Sequence, residues 1–334
     1  MKPQKVIICL LIGIVLGVNM ANVSLAAKDS WAKRSDMPTA RYVCSASEVD
    51  SIIYVIGGAV GGDSNIAVVE AYDPVTDTWE SKSDMPTLRA LLSTSVVDGI
   101  IYAIGGGWGP VFSNVEAYDP VMDTWTKKTD MPTSRGGLAA SAVNGIIYVI
   151  GGSTPVVEAY DPKIDTWAKK ANFPIHASWG LSASVVDGII YTVGGGEAFV
   201  AGSSNVFAYN PKTDTWTRKA DMPTPRFGPC ACTVGKFIYA IGGAAVSGGP
   251  GLSTVEVYNP ARDTWATKTA MPTSRKGPVC GVVDGKIYVI GGADLALGPV
   301  ISTVEEYDTG FRPSKSINSS GKLSTAWGKM KSDR

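Results

Sequence analysis

Short apolar runs punctuate the chain. Ile52-Ile53-Tyr54-Val55-Ile56, Ile100-Ile101-Tyr102-Ala103-Ile104 and Ile146-Ile147-Tyr148-Val149-Ile150 are three of them, and each ends in a pair of glycines. Runs this short, rich in β-branched and aromatic residues and bounded by turn formers, predict strands. Each is preceded by a segment of small residues, such as Leu138-Ala139-Ala140-Ser141-Ala142-Val143. Tight-turn triplets such as Val97-Asp98-Gly99 join the two, which suits a hairpin. After the glycines come a loop, then Val-Glu-Ala-Tyr-Asp-Pro or a variant, then Asp-Thr-Trp. The pattern predicts units of four short strands.

These units repeat. Glycine pairs stand at Gly57-Gly58, Gly105-Gly106, Gly151-Gly152, Gly194-Gly195, Gly242-Gly243 and Gly291-Gly292. A tyrosine follows each: Tyr72, Tyr118, Tyr160, Tyr209, Tyr258 and Tyr307. The first five are followed by Trp79, Trp125, Trp167, Trp216 and Trp265 at a constant step, giving a period of about 50 residues. One four-stranded sheet cannot bury both its faces, but six packed radially can. Small side chains suit the crowded inner strands, and Tyr and Trp suit the wider gaps further out. These motifs resemble the kelch repeat from about residue 31 to 308. The resemblance implies an all-β, six-bladed kelch-type β-propeller. The last unit has Ser314 where its Trp should be, while Trp31 stands before Met37 by the same step that separates Trp79 from Met85. Residues 31–37 are therefore expected to be an orphan outer strand. The ring is closed by this N-terminal strand completing the last blade.

The two ends fall outside the repeat. Lys2 and Lys5, the apolar run 6–18 and Ser24-Leu25-Ala26 predict a signal peptide over 1–26. The propeller then spans 27–311, and 312–334 is a polar, basic tail. The expected location is secreted or periplasmic, with no membrane span after cleavage. Lys plus Arg and Asp plus Glu are both 30, so no net charge draws the chain to nucleic acid. A monomer is expected. Cleavage would leave Cys44, Cys230, Cys232 and Cys280. Their setting suggests small buried side chains, with a Cys44–Cys280 or Cys230–Cys280 bridge left open by the spacing.

Chemistry is expected on one face. In an up-and-down blade the loops between strands two and three share a face with the entries to the first strands. Those loops diverge strongly between repeats, while the turns at the other end are nearly invariant, so the divergent face is the expected recognition surface. Trp108 and Phe199 lie in its loops. A recurring Met-Pro-Thr-x-Arg places Arg41, Arg89, Arg135, Arg226 and Arg275 at the first-strand entries. An arginine ring at the channel mouth would suit carboxylates. Blade four breaks the pattern, with Ser178 at the arginine position and His176, the only histidine, just before it. One histidine excludes a galactose oxidase-like copper site, and neither metal, cofactor nor catalytic residue is expected. The expected function is a non-catalytic binding module for a protein, peptide or acidic glycan, acting through the loop face and the arginine-lined mouth. The alternative is a carbohydrate enzyme resembling the sialic acid mutarotases among secreted kelch proteins.

Overall fold

The Ile-Ile-Tyr runs are buried strands, as their composition predicts. The computed structural model describes residues 28–313 except 62–63, 176–177, 197–200, 247 and 295–298, together with a short pair, Ser316–Ile317 and Leu323–Ser324. Segment 1–26 and nearly all of the tail thus lie outside the described residues. Six four-stranded antiparallel sheets follow one another: blade one over 45–82, two over 93–127, three over 138–170, four over 179–218, five over 230–268 and six over 279–308. The first strands of neighbouring blades touch all the way round, blade six against blade one included. The fold is a six-bladed β-propeller.

Its core is divided into wedges between blades. Ile56, Val69 and Tyr54 of blade one pack with Ile101, Ala103 and Tyr118 of blade two. Ile53, Val55 and Tyr72 pack likewise with Tyr288, Ile290 and Val304 of blade six. The alternation of buried faces along each strand is what makes both faces of every sheet apolar. The paired glycines allow close approach where the chain leaves strand two. Gly58 has φ +102°, and a Cβ there would lie 2.7 Å from Cys44 Cβ.

Ring closure takes place as the count of strands requires. Ser30–Arg34 is the outer strand of blade six, with Trp31 opposite Tyr307. Blade six also carries a charge that the other blades lack. Glu306 replaces the Ala or Val found at this place elsewhere, and it is buried. It accepts from Arg34 on the closing strand and from Lys286 at 2.6 Å. A buried carboxylate that finds one of its cations on the incoming strand favours that strand's register over any other.

One device joins every pair of neighbouring blades. In blade one the Tyr72 hydroxyl donates to Asp77, which also accepts Ser35 N–H from the end of the preceding blade at 2.9 Å. Trp79 Nε1 donates to the Ser35 carbonyl at 3.0 Å. The same clamp recurs with Tyr118, Asp123 and Trp125 on Ser83, and with Tyr160, Asp165 and Trp167 on Thr129. Tyr209, Asp214 and Trp216 hold Ala171, and Tyr258, Asp263 and Trp265 hold Ala220. The sixth clamp is assembled from both ends of the chain: Tyr307 bonds Asp29, while Asp29 and Trp31 hold Thr269. Each aspartate sits in the left-handed region, from φ 53° at Asp123 to 62° at Asp29. Asp tolerates that conformation better than most residues, which helps explain the repeated residue type.

The clamp predicts two outcomes. Trp31→Ala removes the sixth indole, its bond to Thr269 and its stacking on Tyr307 at 4.8 Å. It should lower the unfolding free energy by about 2–3 kcal/mol, in line with truncation of a half-buried Trp. Denaturant unfolding checks this, and an unchanged midpoint would reject the closing role. Acid is the second. The tyrosine hydroxyl bond is the leading cause that holds Asp123, Asp165, Asp214 and Asp263 below the ordinary carboxylate value. At Asp77 and Asp29 burial pushes upward and is outweighed by the same bonds. A lowered folded value stabilises above the unfolded value near pH 3.9 and is lost as pH falls through the folded one. The thermal midpoint should therefore fall steeply below about pH 4, and less steeply in Asp123→Asn, which keeps an acceptor but has no carboxylate to titrate. A midpoint that stays level into strong acid would show that the clamp's charge contributes nothing.

Candidate functional site

The two faces of the ring differ in kind. On one, Asp-Pro-x-x-Asp turns are closed locally, as where Asp73 Oδ1 accepts Val75 N–H at 2.8 Å and Asp119 Oδ1 accepts Val121 N–H at 2.9 Å. On the other, the loops after each glycine pair lie against the entries to the first strands. Ala59 bridges Tyr42, Ala244 bridges Phe227 and Ala293 bridges Lys276. Trp108 belongs to this face, 39% exposed, with its ring 6.3 Å from that of Tyr42 in blade one. Leu88, at the entry to blade two, is 57% exposed. His176 and Phe199 lie outside the described residues.

The five arginines do not form an open ring at the mouth. Arg41, Arg89, Arg226 and Arg275 are 0% exposed and Arg135 is 1%. Each turns into its own blade and meets a glutamate of the third strand. Arg41 pairs with Glu70 at 2.8 Å, Arg89 with Glu116 at 2.6 Å, Arg226 with Glu256 at 2.9 Å and Arg275 with Glu305 at 2.6 Å. Arg135 pairs with Glu158. The second guanidinium nitrogen donates to carbonyls where strand two ends and strand three begins. Arg89 reaches Gly105 and Asn114, and Arg275 reaches Gly291 and Thr303. Thr87 Oγ1 completes the set by donating to Glu116 at 2.7 Å, as Thr39, Thr133, Thr224 and Thr273 do to theirs. The arginines therefore knit the bases of the variable loops. Burial pulls the Arg89, Arg135 and Arg275 guanidinium groups below their ordinary value, and the glutamate charge pulls back.

Blade four holds no such pair. The Ser178 carbonyl accepts Gly152 N–H at 2.9 Å, just as the Arg135 carbonyl accepts Gly106 N–H, so Ser178 occupies the arginine place. At the glutamate place stands Phe207, at the threonine place Ile175, and at the methionine place Phe173. Phe173 packs on Phe207 with centroids 5.4 Å apart and on Trp216 at 5.0 Å. Every partner has changed together. Losing one member of a buried ion pair strands the other, whereas an apolar replacement of both is tolerated. The glutamate in Val-Glu-Ala-Tyr was visible in the sequence, and its absence from blade four alone was the signal that it belongs with the arginine. The inner strands of blade four, Trp179–Val186 and Ile189–Gly196, also run further toward the loop face than those of blade one.

Among the described residues, the inner strands line a central cavity without charged side chains. Its volume is about 180 Å³, and 44–46, 92–94, 138–140, 181–183, 229–231 and 278–280 line it. Cys44 and Cys230 are buried free thiols, and Cys280 is a half-buried one. Burial raises Cys44 to about 11. It also raises Cys230 well above the ordinary thiol value. Cys232 is free as well, so neither bridge left open by the spacing is formed.

Comparison with known proteins agrees with this architecture. Residues 40–86, 88–132 and 274–312 match the Kelch motif, and residues 128–292 match the KLHDC2/KLHL20/DRC7 Kelch-repeats domain. The chain belongs to the kelch-repeat β-propeller family. Its fold is similar to the solved structure of YjhT, with TM-score 0.70 and 16% identity over 81% of this chain and 96% of that one. No curated protein matches it by sequence.

The arginine networks predict a non-additive pair of substitutions. Arg89→Met leaves Glu116 buried without its cation and should cost about 3–5 kcal/mol. Adding Glu116→Met should recover most of that, following the solution blade four already uses. A double-mutant cycle by denaturant unfolding measures the coupling. Equal and additive losses would mean that the pair contributes nothing as a pair.

Proposed function

We propose that this chain is an exported, non-catalytic binding module that presents its loop face to a protein, peptide or glycan. The observation that carries the proposal is the contrast between faces: repeated, locally closed turns on one, and loops of different length and composition on the other. Those loops rest on a rigid frame, because five of the six bases are tied by a buried arginine. A frame fixed before binding leaves little ordering cost at the moment of binding, which favours affinity. Trp108 and Leu88 offer apolar contact area on that face, and Trp is among the residues enriched as interface anchors. Export rests on the basic and apolar segment before Ala27. Among the described residues no helix is long and apolar enough to cross a membrane. With the arginines held by glutamates and a neutral channel lining, an acidic ligand has no exposed guanidinium ring to meet.

Peptide and glycan arrays probed with loop-face and turn-face variants test this. Trp108→Ala should weaken binding by about 2 kcal/mol, roughly 30-fold, if it anchors the contact. Leu88→Glu should act in the same direction. Val121→Glu, on an exposed turn of the opposite face, should bind like the parent. Arrays on which nothing binds, or on which only the turn-face variant fails, would overturn the reading.

A further inference from the structure

Three of the four cysteines among the described residues meet at one place. Cys230 and Cys232 lie on the first strand of blade five, Cys230–Val234, and Cys280 on that of blade six, Val279–Val283. Counted from the arginine place of each blade, they stand at steps four, six and five. Steps four and six of one blade face step five of the next. Between blades one and two these steps are Ser45, Ser47 and Thr94, and both serine hydroxyls lie 2.8 Å from Thr94 Oγ1. Between blades four and five, Ser182 Oγ at step four accepts Ala231 N–H at step five, at 3.1 Å. The repeat therefore sets these side chains against one another, and only between blades five and six are all three thiols.

The Cys280 side chain is hydrogen-bonded to those of Cys230 and Cys232. All three pack in one cluster with Tyr239, Ile241 and Ile287. Cys230 Sγ also donates to the Ile241 carbonyl at 3.7 Å, which holds it in place on its strand. Cys230 and Cys280 both line the central cavity. A disulfide spans about 4 Å between β-carbons, and side chains that touch at their γ atoms need only a small closing movement to form one. We propose that this trio is an oxidation site, at which a peroxide converts Cys230 and Cys280 into a disulfide that welds the inner strands of blades five and six. The three free thiols are its reduced state. The proposal goes beyond the loop-face reading and does not depend on it.

The cavity of about 180 Å³ has room for an oxidant of two oxygen atoms. Cys280, the half-buried thiol, meets it first. Its thiolate attacks one peroxide oxygen, the O–O bond breaks and hydroxide leaves, giving a sulfenic acid. The Cys230 thiolate then attacks that sulfur. The S–S bond forms, the S–O bond breaks and a second hydroxide leaves. The two thiol protons turn both hydroxides into water. Each sulfur has lost one electron and each peroxide oxygen has gained one. Burial and the contact with Cys280 raise Cys230 well above the ordinary thiol value, so little thiolate is present at neutral pH and the step is slow. Cys232, the other thiol touching Cys280, is the partner that remains when Cys230 is removed.

The test treats the folded chain with millimolar hydrogen peroxide for hours, the slow end of disulfide formation. The chain is then denatured, its remaining thiols are alkylated, and it is cut with trypsin for mass spectrometry. A disulfide-linked pair of the peptides 227–236 and 277–286 should appear, and dithiothreitol should remove it. The oxidised chain should melt about 5 °C higher, because the bond closes the long loop between blades five and six. Cys280→Ser should give neither the linked pair nor the rise. Cys232→Ser and Cys44→Ser should keep both. Cys230→Ser should form the bond through Cys232 about tenfold more slowly or worse. Serine already occupies the matching steps in blade one, so these variants should fold with the parent's midpoint before peroxide is added. Both peptides recovered fully alkylated, a sulfinic or sulfonic acid at Cys280, a bond between Cys230 and Cys232, or a link that joins two separate chains overturns the site. So does a melting rise that persists in Cys280→Ser. Undiminished bond formation in Cys230→Ser overturns the part given to Cys230.

Discussion

The Tyr-Asp-Trp clamp is the contact on which the ring depends. A four-stranded sheet of this composition is apolar on both faces and has no stable existence alone, so each blade needs its neighbours. Apolar packing is non-directional and would tolerate many angles between sheets. The clamp removes that freedom. One aspartate takes a hydroxyl from its own blade and a backbone N–H from the blade before, and one indole takes the carbonyl beside it. These directional bonds, repeated at six interfaces, set the angle by which each blade follows the last. Ring closure uses the same clamp, reinforced in blade six by Glu306 and Arg34. Asp29 and Trp31 are the first two clamp members of the described chain, and they find Tyr307 and Thr269 because every other interface has already fixed where those residues will be.

A second repeated network lies further in and serves a different purpose. The arginine, glutamate and threonine of five blades join the exit of strand two to the entry of strand three, which is where each variable loop begins and ends. The fold can therefore vary its loops without loosening the blade beneath them. Buried ion pairs of this sort are all-or-none. One partner without the other is costly, and that explains why blade four abandons arginine, threonine and glutamate together and turns the space over to Phe173, Ile175 and Phe207.

The proposed function rests on this division of labour. The turn face repeats because its residues serve the clamp, and the loop face diverges because its residues do not. Rigidity beneath and variety above is the arrangement of a surface that recognises. Under the proposed reading, the internal pairing of the arginines leaves the loops, rather than a charged mouth, to carry recognition.

The sequence by itself determined the architecture. Six glycine pairs, six tyrosines and an orphan Trp31 are local, periodic signals, and counting them sufficed for the number of blades and the closing strand. It also marked blade four as the exception, through Ser178 and His176. What it did not determine was where side chains point. Arg41 and its counterparts stand at the entries to first strands, and a count along the chain places them at the mouth. Only the tertiary structure shows them turned inward, because their partners, such as Glu70 and Glu116, lie some thirty residues away in sequence and on a strand two places removed in the sheet. A guanidinium follows the nearest buried carboxylate and the free carbonyls, and which of these is within reach is settled by packing.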